Sequence, residues 1–175
     1  MRALIITWTG YQDQELIYPY YRLREDTADV SIMANDSVVH GILGTRMNAD
    51  LLISSLGTPS HFEEIFAKYD FLVLPGGVKA LEKLRQEKNV LAFIKKWDDA
   101  GKIIASTCHG AQLLISAKVV KNREIAGYYS LEDDINNAGA IYSRLPFVVS
   151  KNIISSPHYE WMGEWMREAI NVYKN

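Results

Sequence analysis

Apolar and polar positions alternate between two periods along this chain. Ala3-Leu-Ile-Ile-Thr7 is a short β-branched, apolar run of the kind that forms a buried strand. From Asp13 the period lengthens: Leu16, Ile17, Tyr20 and Leu23 recur at helical spacing, with Asp13 placed to cap the start. Pro19 falls inside that run, which predicts a kink or two short helical pieces. Val30-Ser-Ile-Met33 reads as a second strand. The stretch 35–60, punctuated by Gly41, Gly44 and Gly57, reads as hairpin-like segments. Asp70-Phe-Leu-Val-Leu-Pro-Gly-Gly77 is a buried strand ending in a tight turn.

The pattern is helical from Ala80 to Ala100, with Asn89 as a restart and Gly101 at the C-terminal position. Lys102-Ile-Ile-Ala-Ser106 is the next strand, and Ala111 to Ala117 a small buried helix. Ser130-Leu-Glu-Asp133 resembles a capping box for a helix ended by Gly139. Ala140-Ile-Tyr, Phe147-Val-Val and Ile153-Ile-Ser are short strands, and Tyr159 to Tyr173 is a closing amphipathic helix. Strands alternating with helices predict an α/β fold, a mainly parallel sheet covered on both faces. Ligands bind at the carboxyl ends of such strands, so the loops starting near Trp8, Gly76 and Thr107 are expected to face one crevice.

A length of 175 residues suits one domain, 1–175, and a composition 48% hydrophobic and 23% charged is that of an ordinary globular protein. The net charge of −2 argues against a nucleic-acid partner. No apolar run reaches membrane-span length, and the N-terminus lacks a signal-peptide cleavage pattern. These features predict a cytoplasmic protein with no membrane partner. The single cysteine excludes an internal disulfide and a Cys-pair metal motif. His40, His61, His109 and His158 are scattered, and no phosphate-loop or dinucleotide fingerprint is present. No metal and no cofactor are expected.

The informative stretch is Ile103-Ile-Ala-Ser-Thr-Cys108-His109-Gly110-Ala-Gln-Leu-Leu. A strand, a sharp turn, a nucleophile and a small-residue helix follow one another, the layout of a nucleophile elbow. A cysteine there faces a helix N-terminus and free backbone N–H groups, both of which favour the nucleophilic thiolate. The contrasting reading is a small buried hydrophobe, as many free cysteines are.

Ser106-Thr-Cys-His-Gly-Ala-Gln-Leu-Leu-Ile-Ser-Ala117 closely resembles the signature of the DJ-1/PfpI (ThiJ/PfpI) superfamily, in its PfpI-type intracellular cysteine peptidase branch. Glu15-Leu-Ile-Tyr-Pro-Tyr-Tyr-Arg-Leu23, Leu72-Val-Leu-Pro-Gly-Gly77, Asp133-Asp-Ile-Asn-Asn-Ala-Gly139 and Trp165-Met-Arg-Glu168 are similar to further family segments in the same order. The resemblance implies a three-layer sandwich of flavodoxin-like, class I glutamine amidotransferase-like type. It implies Cys108 as nucleophile, His109 as the histidine that follows it, and Glu15 as the carboxyl that hydrogen-bonds the sulfur. It also implies an oxyanion hole from the N–H groups of Gly77 and His109, with Gln12, Gly76, Tyr128 and His158 at the pocket. Singly, each has a packing explanation: Glu15 as a first-turn acid, His109 satisfied by backbone, the glycines for turn geometry, Tyr128 as core.

Three departures stand out. Gln12 replaces a second glutamate of close relatives. A one-residue insertion would bring Glu82 into register with a glutamate that relatives supply from a neighbouring subunit, whereas the ungapped register puts Leu81 at that position. Ser156-Pro-His-Tyr-Glu-Trp161 replaces a segment carrying arginine and aspartate, and with Trp8 and Tyr11 adds aromatic bulk. The resemblance implies a homo-oligomer, dimer or hexamer, acting on a small-molecule or peptide substrate. The activity expected is covalent catalysis by Cys108 on a carbonyl or amide, peptidase/amidase-like or glyoxalase-like. The alternatives are a redox-sensing or stress-protective protein using oxidisable Cys108, and a binding module with a vestigial cysteine.

Overall fold

A computed structural model describes residues 1–26 and 29–175. The elements follow in the order β1 (Ala3–Ile6), α1 (Asp13–Asp26), β2 (Val30–Ala34), β3 (Val38–His40), β4 (Arg46–Asn48), β5 (Leu51–Leu52), α2 (Pro59–Lys68) and β6 (Phe71–Leu74). Then come α3 (Val78–Leu84), α4 (Lys88–Asp99), β7 (Ile103–Thr107), α5 (Ala111–Ser116), β8 (Glu124–Ala126), α6 (Glu132–Asn137), β9 (Ile141–Ser143), β10 (Val148–Ser150), β11 (Ile153–Ser156) and α7 (Met162–Lys174).

The main sheet runs β5-β2-β1-β6-β7-β11-β10, parallel throughout except for the edge strand β10. β1, β6 and β11 are buried at every residue, the signature of strands covered on both sides. The chain leaves β1 toward β2 and later returns to place β6 on β1's other side. That reversal makes a topological switch point between β1 and β6, where crevices form. Right-handed crossovers put helices on opposite faces before and after the reversal. α1 and α7 pack together, while α4 lies against β7 and α5 with α2 beside it. The expected α/β architecture with a mainly parallel, double-covered sheet is therefore present.

Several local expectations need correction. α1 runs through Pro19 as one helix. Proline removes only one ladder bond, and burial of Leu16, Pro19 and Leu23 against the sheet holds the turns on either side. The cap is Gln12 rather than Asp13: the Gln12 side-chain oxygen accepts the Glu15 N–H at 3.2 Å. Asp13 instead grips the loop between β3 and β4, accepting from Leu43 N–H at 2.8 Å, from Thr45 N–H at 3.0 Å and from the Thr45 hydroxyl. α6 has no side-chain cap, so Ser130 and Asp133 form no capping box, and a short 3₁₀ turn, Tyr129–Leu131, precedes the helix. A similar turn, Tyr159–Trp161, precedes α7. The hairpin expected within 35–60 is β3–β4, while α2 was absent from the pattern reading.

Candidate active site

Three loops at the carboxyl end of the sheet build one cavity of about 380 Å³. The first follows β1 and leads into α1, bringing Gln12, Gln14 and Glu15. The second follows β6 and brings Gly77 and Val78. The third follows β7 and brings Cys108 and His109. All three loops expected to meet do so. Tyr128, His158 and Tyr159 complete one side, and Ile42 and Leu43, from the β3–β4 loop, another.

Cys108 is the turning point of the elbow. Its φ is 55°, a left-handed conformation that side chains other than glycine adopt rarely. Surrounding contacts hold it there. The Tyr128 N–H donates to the Cys108 carbonyl at 3.1 Å. Gly110 allows the elbow to approach β6, because a Cβ at that position would collide with the Leu74 carbonyl oxygen. Gly77 has φ 109° and sits so close to the β1 loop that a Cβ would come within 2.6 Å of the Gln12 nitrogen. Of the two Pro-Gly-Gly glycines, only Gly76 stands elsewhere than expected. Gly77 lines the cavity, whereas Gly76 lies behind it and donates its N–H to Glu15 Oε2 at 2.8 Å.

The electrostatics centre on two buried groups. Glu15 is fully buried, and its Oε1 has no hydrogen-bond partner among the described residues. Burial pushes its carboxyl up to about 7 from the ordinary 4.5, against the pull of the Cys108 thiol and the Gly76 N–H. Cys108 is 5% exposed. Burial and the Glu15 charge push its thiol up, while the N–H groups of His109 and Gly77 pull it down. The sequence expectation of a helix-favoured thiolate is thus opposed by burial. The physical reason is that desolvation and the neighbouring Glu15 carboxyl outweigh the backbone N–H groups at the elbow. The thiol and the carboxyl form one coupled pair, which sheds its first proton near pH 7.

His109 Nδ1 lies 3.3 Å from Cys108 Sγ, so the adjacent residues do touch. Burial lowers the His109 pKa, leaving a neutral ring able to accept a proton. That ring stacks on Tyr128 with centroids 4.6 Å apart. Gln12 lines the cavity with its amide tied on both sides, to the Glu15 N–H and to Gln14 Oε1 at 2.6 Å. Glu82 is exposed on α3 and lines no part of this cavity, and Leu81 is fully buried in the core. Trp8 and Tyr11 stand away from the cavity: Tyr11 is fully buried and bonds Thr45 through its hydroxyl. The aromatic wall comes from Tyr128, His158 and Tyr159 instead.

Ile42, Leu43, Gln14, Val78 and Tyr159 were not singled out as pocket residues by sequence. Ile42-Leu43 did leave a signal. Two large apolar residues stand between Gly41 and Gly44 at a turn tip, and they are 53% and 69% exposed.

A family model described as the DJ-1/PfpI family matches residues 1–172. The "Deglycase PfpI" of Pyrococcus furiosus is 36% identical over 175 residues, covering 99% of this chain and 100% of that protein. The "Protein/nucleic acid deglycase 2" of Escherichia coli is 33% identical over 171 residues, covering 97% and 95%. Among solved structures, Schizosaccharomyces pombe DJ-1 superposes with a TM-score of 0.83 at 18% identity, covering 99% of this chain and 97% of that one.

Proposed function

The chain belongs to the DJ-1/PfpI family, and on that premise we propose that it is a cysteine-dependent enzyme acting on small carbonyl compounds or on adducts and amides derived from them. One observation carries the reading. A strained cysteine, a buried carboxyl with pKa about 7 and two backbone N–H groups converge on one small cavity.

The chemistry follows from that convergence. With one proton on the pair, Cys108 sulfur attacks the carbonyl carbon and the S–C bond forms. The thiol proton resides on Glu15, and the carbonyl π pair moves onto oxygen. In this reading the N–H groups of Gly77 and His109, which pull the thiol pKa down, receive that oxyanion. Glu15 then returns the proton to a leaving amine, or to the oxyanion when nothing leaves. Neutral His109, 3.3 Å from the sulfur, can take a proton from the water that releases a thioester. A cavity of about 380 Å³ fits a small substrate or one side chain of a peptide. The names of the two relatives make a deglycase-type hydrolysis the first reaction to test. A buried thiol with a raised pKa disfavours spontaneous peroxide sensing.

No helix among the described residues is long and apolar enough to cross a membrane, and an enzyme needing a free thiol suits a reducing cytoplasm. The exposed Tyr18, Tyr21 and Leu43 flank a groove of about 800 Å³ on α1. We extend the proposal to a homo-oligomer that covers it, which light scattering would establish.

The test is turnover of methylglyoxal, of its adducts with a small amine and a small thiol, and of chromogenic amides. The wild-type protein is expected to process at least one class, and Cys108→Ala to lose at least about a thousandfold in kcat/KM. Undiminished turnover in the variant, or none in the wild type, overturns the reading.

A further inference from the structure

The rings beside Cys108 form a continuous series. His109, which touches the sulfur, stacks on Tyr128 with planes 27° apart. Tyr128 and His158 have centroids 6.2 Å apart and planes at 32°. His158 and Tyr159 follow at 3.9 Å and 36°. Each ring thus lies closer to face-on than edge-on to the next.

The core aromatic cluster is arranged differently. Phe62–Phe93, Phe66–Phe93 and Phe66–Trp97 meet at 75°, 86° and 90°, and only Phe93–Trp97, at 42°, is tilted like the cavity rings. Edge-to-face and offset-stacked contacts are both ordinary ways for rings to pack, so it is the lining of the cavity that sets the second series apart. Tyr128, His158 and Tyr159 all line the cavity, and Tyr159 is 40% exposed at the outer end of the series.

Main-chain bonds hold this wall in place. The Glu160 N–H donates to His158 Nδ1 at 3.4 Å, making His158 the cap of the turn that carries Tyr159. The Tyr128 N–H is held by the Cys108 carbonyl. The same cavity is lined by the aliphatic side chains of Ile42, Leu43 and Val78.

We propose that His158 and Tyr159, continuing from Tyr128, form a subsite for a flat conjugated group, such as an aryl ring, attached to the carbonyl that Cys108 attacks. Aromatic faces reward a flat group over a saturated one of equal bulk, because only the flat group brings its whole face into contact. The inference rests on the proposed function for the direction in which the ligand points, and it is tested by binding alone.

Benzamide and cyclohexanecarboxamide, similar in size and polar group, are titrated into the full chain by ligand-observed NMR. The wild-type protein is expected to bind benzamide about fivefold more tightly. Tyr159→Ala should remove that preference, and Tyr159→Phe should keep it. Thermal melts confirm that both variants remain folded. Equal affinities in the wild type, absence of binding by benzamide, or a preference unchanged in Tyr159→Ala overturns the subsite. Inactivity toward phenylglyoxal and methylglyoxal with the benzamide preference intact would count against the catalytic proposal and leave the subsite standing.

Discussion

Both ends of the parallel sheet draw charged groups out of full solvent, half-buried at one end and fully buried at the other, and they treat them in opposite ways. At the amino end, Asp98 of α4 pairs with Arg123 at 2.9 Å and accepts from Asn152 at 3.1 Å. Asn152 in turn accepts from Arg123 and donates to the Lys102 carbonyl. This cluster ties the start of β7 to the start of β11 and the approach to β8, and each of these side chains has a partner. At the carboxyl end, Glu15 is buried more deeply, and among the described residues no cation shifts its pKa and one of its oxygens has no hydrogen bond. A charge with every partner in place fixes geometry, whereas the buried, incompletely paired carboxyl of Glu15 keeps a proton within reach at neutral pH. The contrast separates a structural network from a chemical one without reference to any ligand.

The comparison can be broken most forcefully at Glu15. Glu15→Gln should lower kcat/KM by about 10²–10⁴-fold while the circular dichroism spectrum stays native. Retained activity would move the proton partner elsewhere. Asp98→Ala should do the reverse, costing about 1.5 kcal/mol in urea unfolding by leaving Arg123 with Asn152 alone, with kcat/KM nearly unchanged.

The pH dependence sharpens the contrast further. Folded Glu15 holds its proton up to about 7, against an ordinary 4.5. The folded state therefore binds more protons in that interval, and stability should fall as pH rises from about 4.5 to about 7. The loss should be on the order of 3 kcal/mol. Glu15→Gln should flatten that slope, and equal slopes in the two proteins would contradict the raised pKa. Over the same range kcat/KM should rise, because the pair must lose one proton to react.

The smallest effect concerns Gln12. In Gln12→Glu the Glu15 N–H keeps an acceptor, but a like charge arrives beside Glu15. The acid limb of the pH–rate profile should move up by about half a unit to one unit. Superimposable profiles would show that position 12 does not couple to the pair.

Much of this was legible in the sequence because it depends on local pattern. The buried strands were readable from β-branched runs, and the elbow from Ser-Thr-Cys-His-Gly after a strand. Glu15, Gly77, His109 and Tyr128 converge around Cys108 as the resemblance implied. What escaped depended on tertiary contacts. Gln12 caps α1 because Asp13 is drawn away by the β3–β4 loop, a contact spanning some thirty residues. α2 carried a signal in Phe62, Ile65 and Phe66 at helical spacing after Pro59, but glycines and polar residues upstream masked its start. The thiol's raised pKa arises from burial, which composition and motif do not express.

The grip of Asp13 on the β3–β4 loop has a consequence for adaptability. It holds Leu43 and Thr45 by their backbone N–H groups, and the Ile42 N–H donates to the Tyr11 carbonyl at 2.9 Å. The side chains of Ile42 and Leu43 take no part in that clasp and project into the cavity mouth. They behave like interchangeable bits in a fixed chuck. Codons 42 and 43 can be randomised together to retune what enters the cavity, with the fastening of the loop and the machinery around Cys108 left untouched.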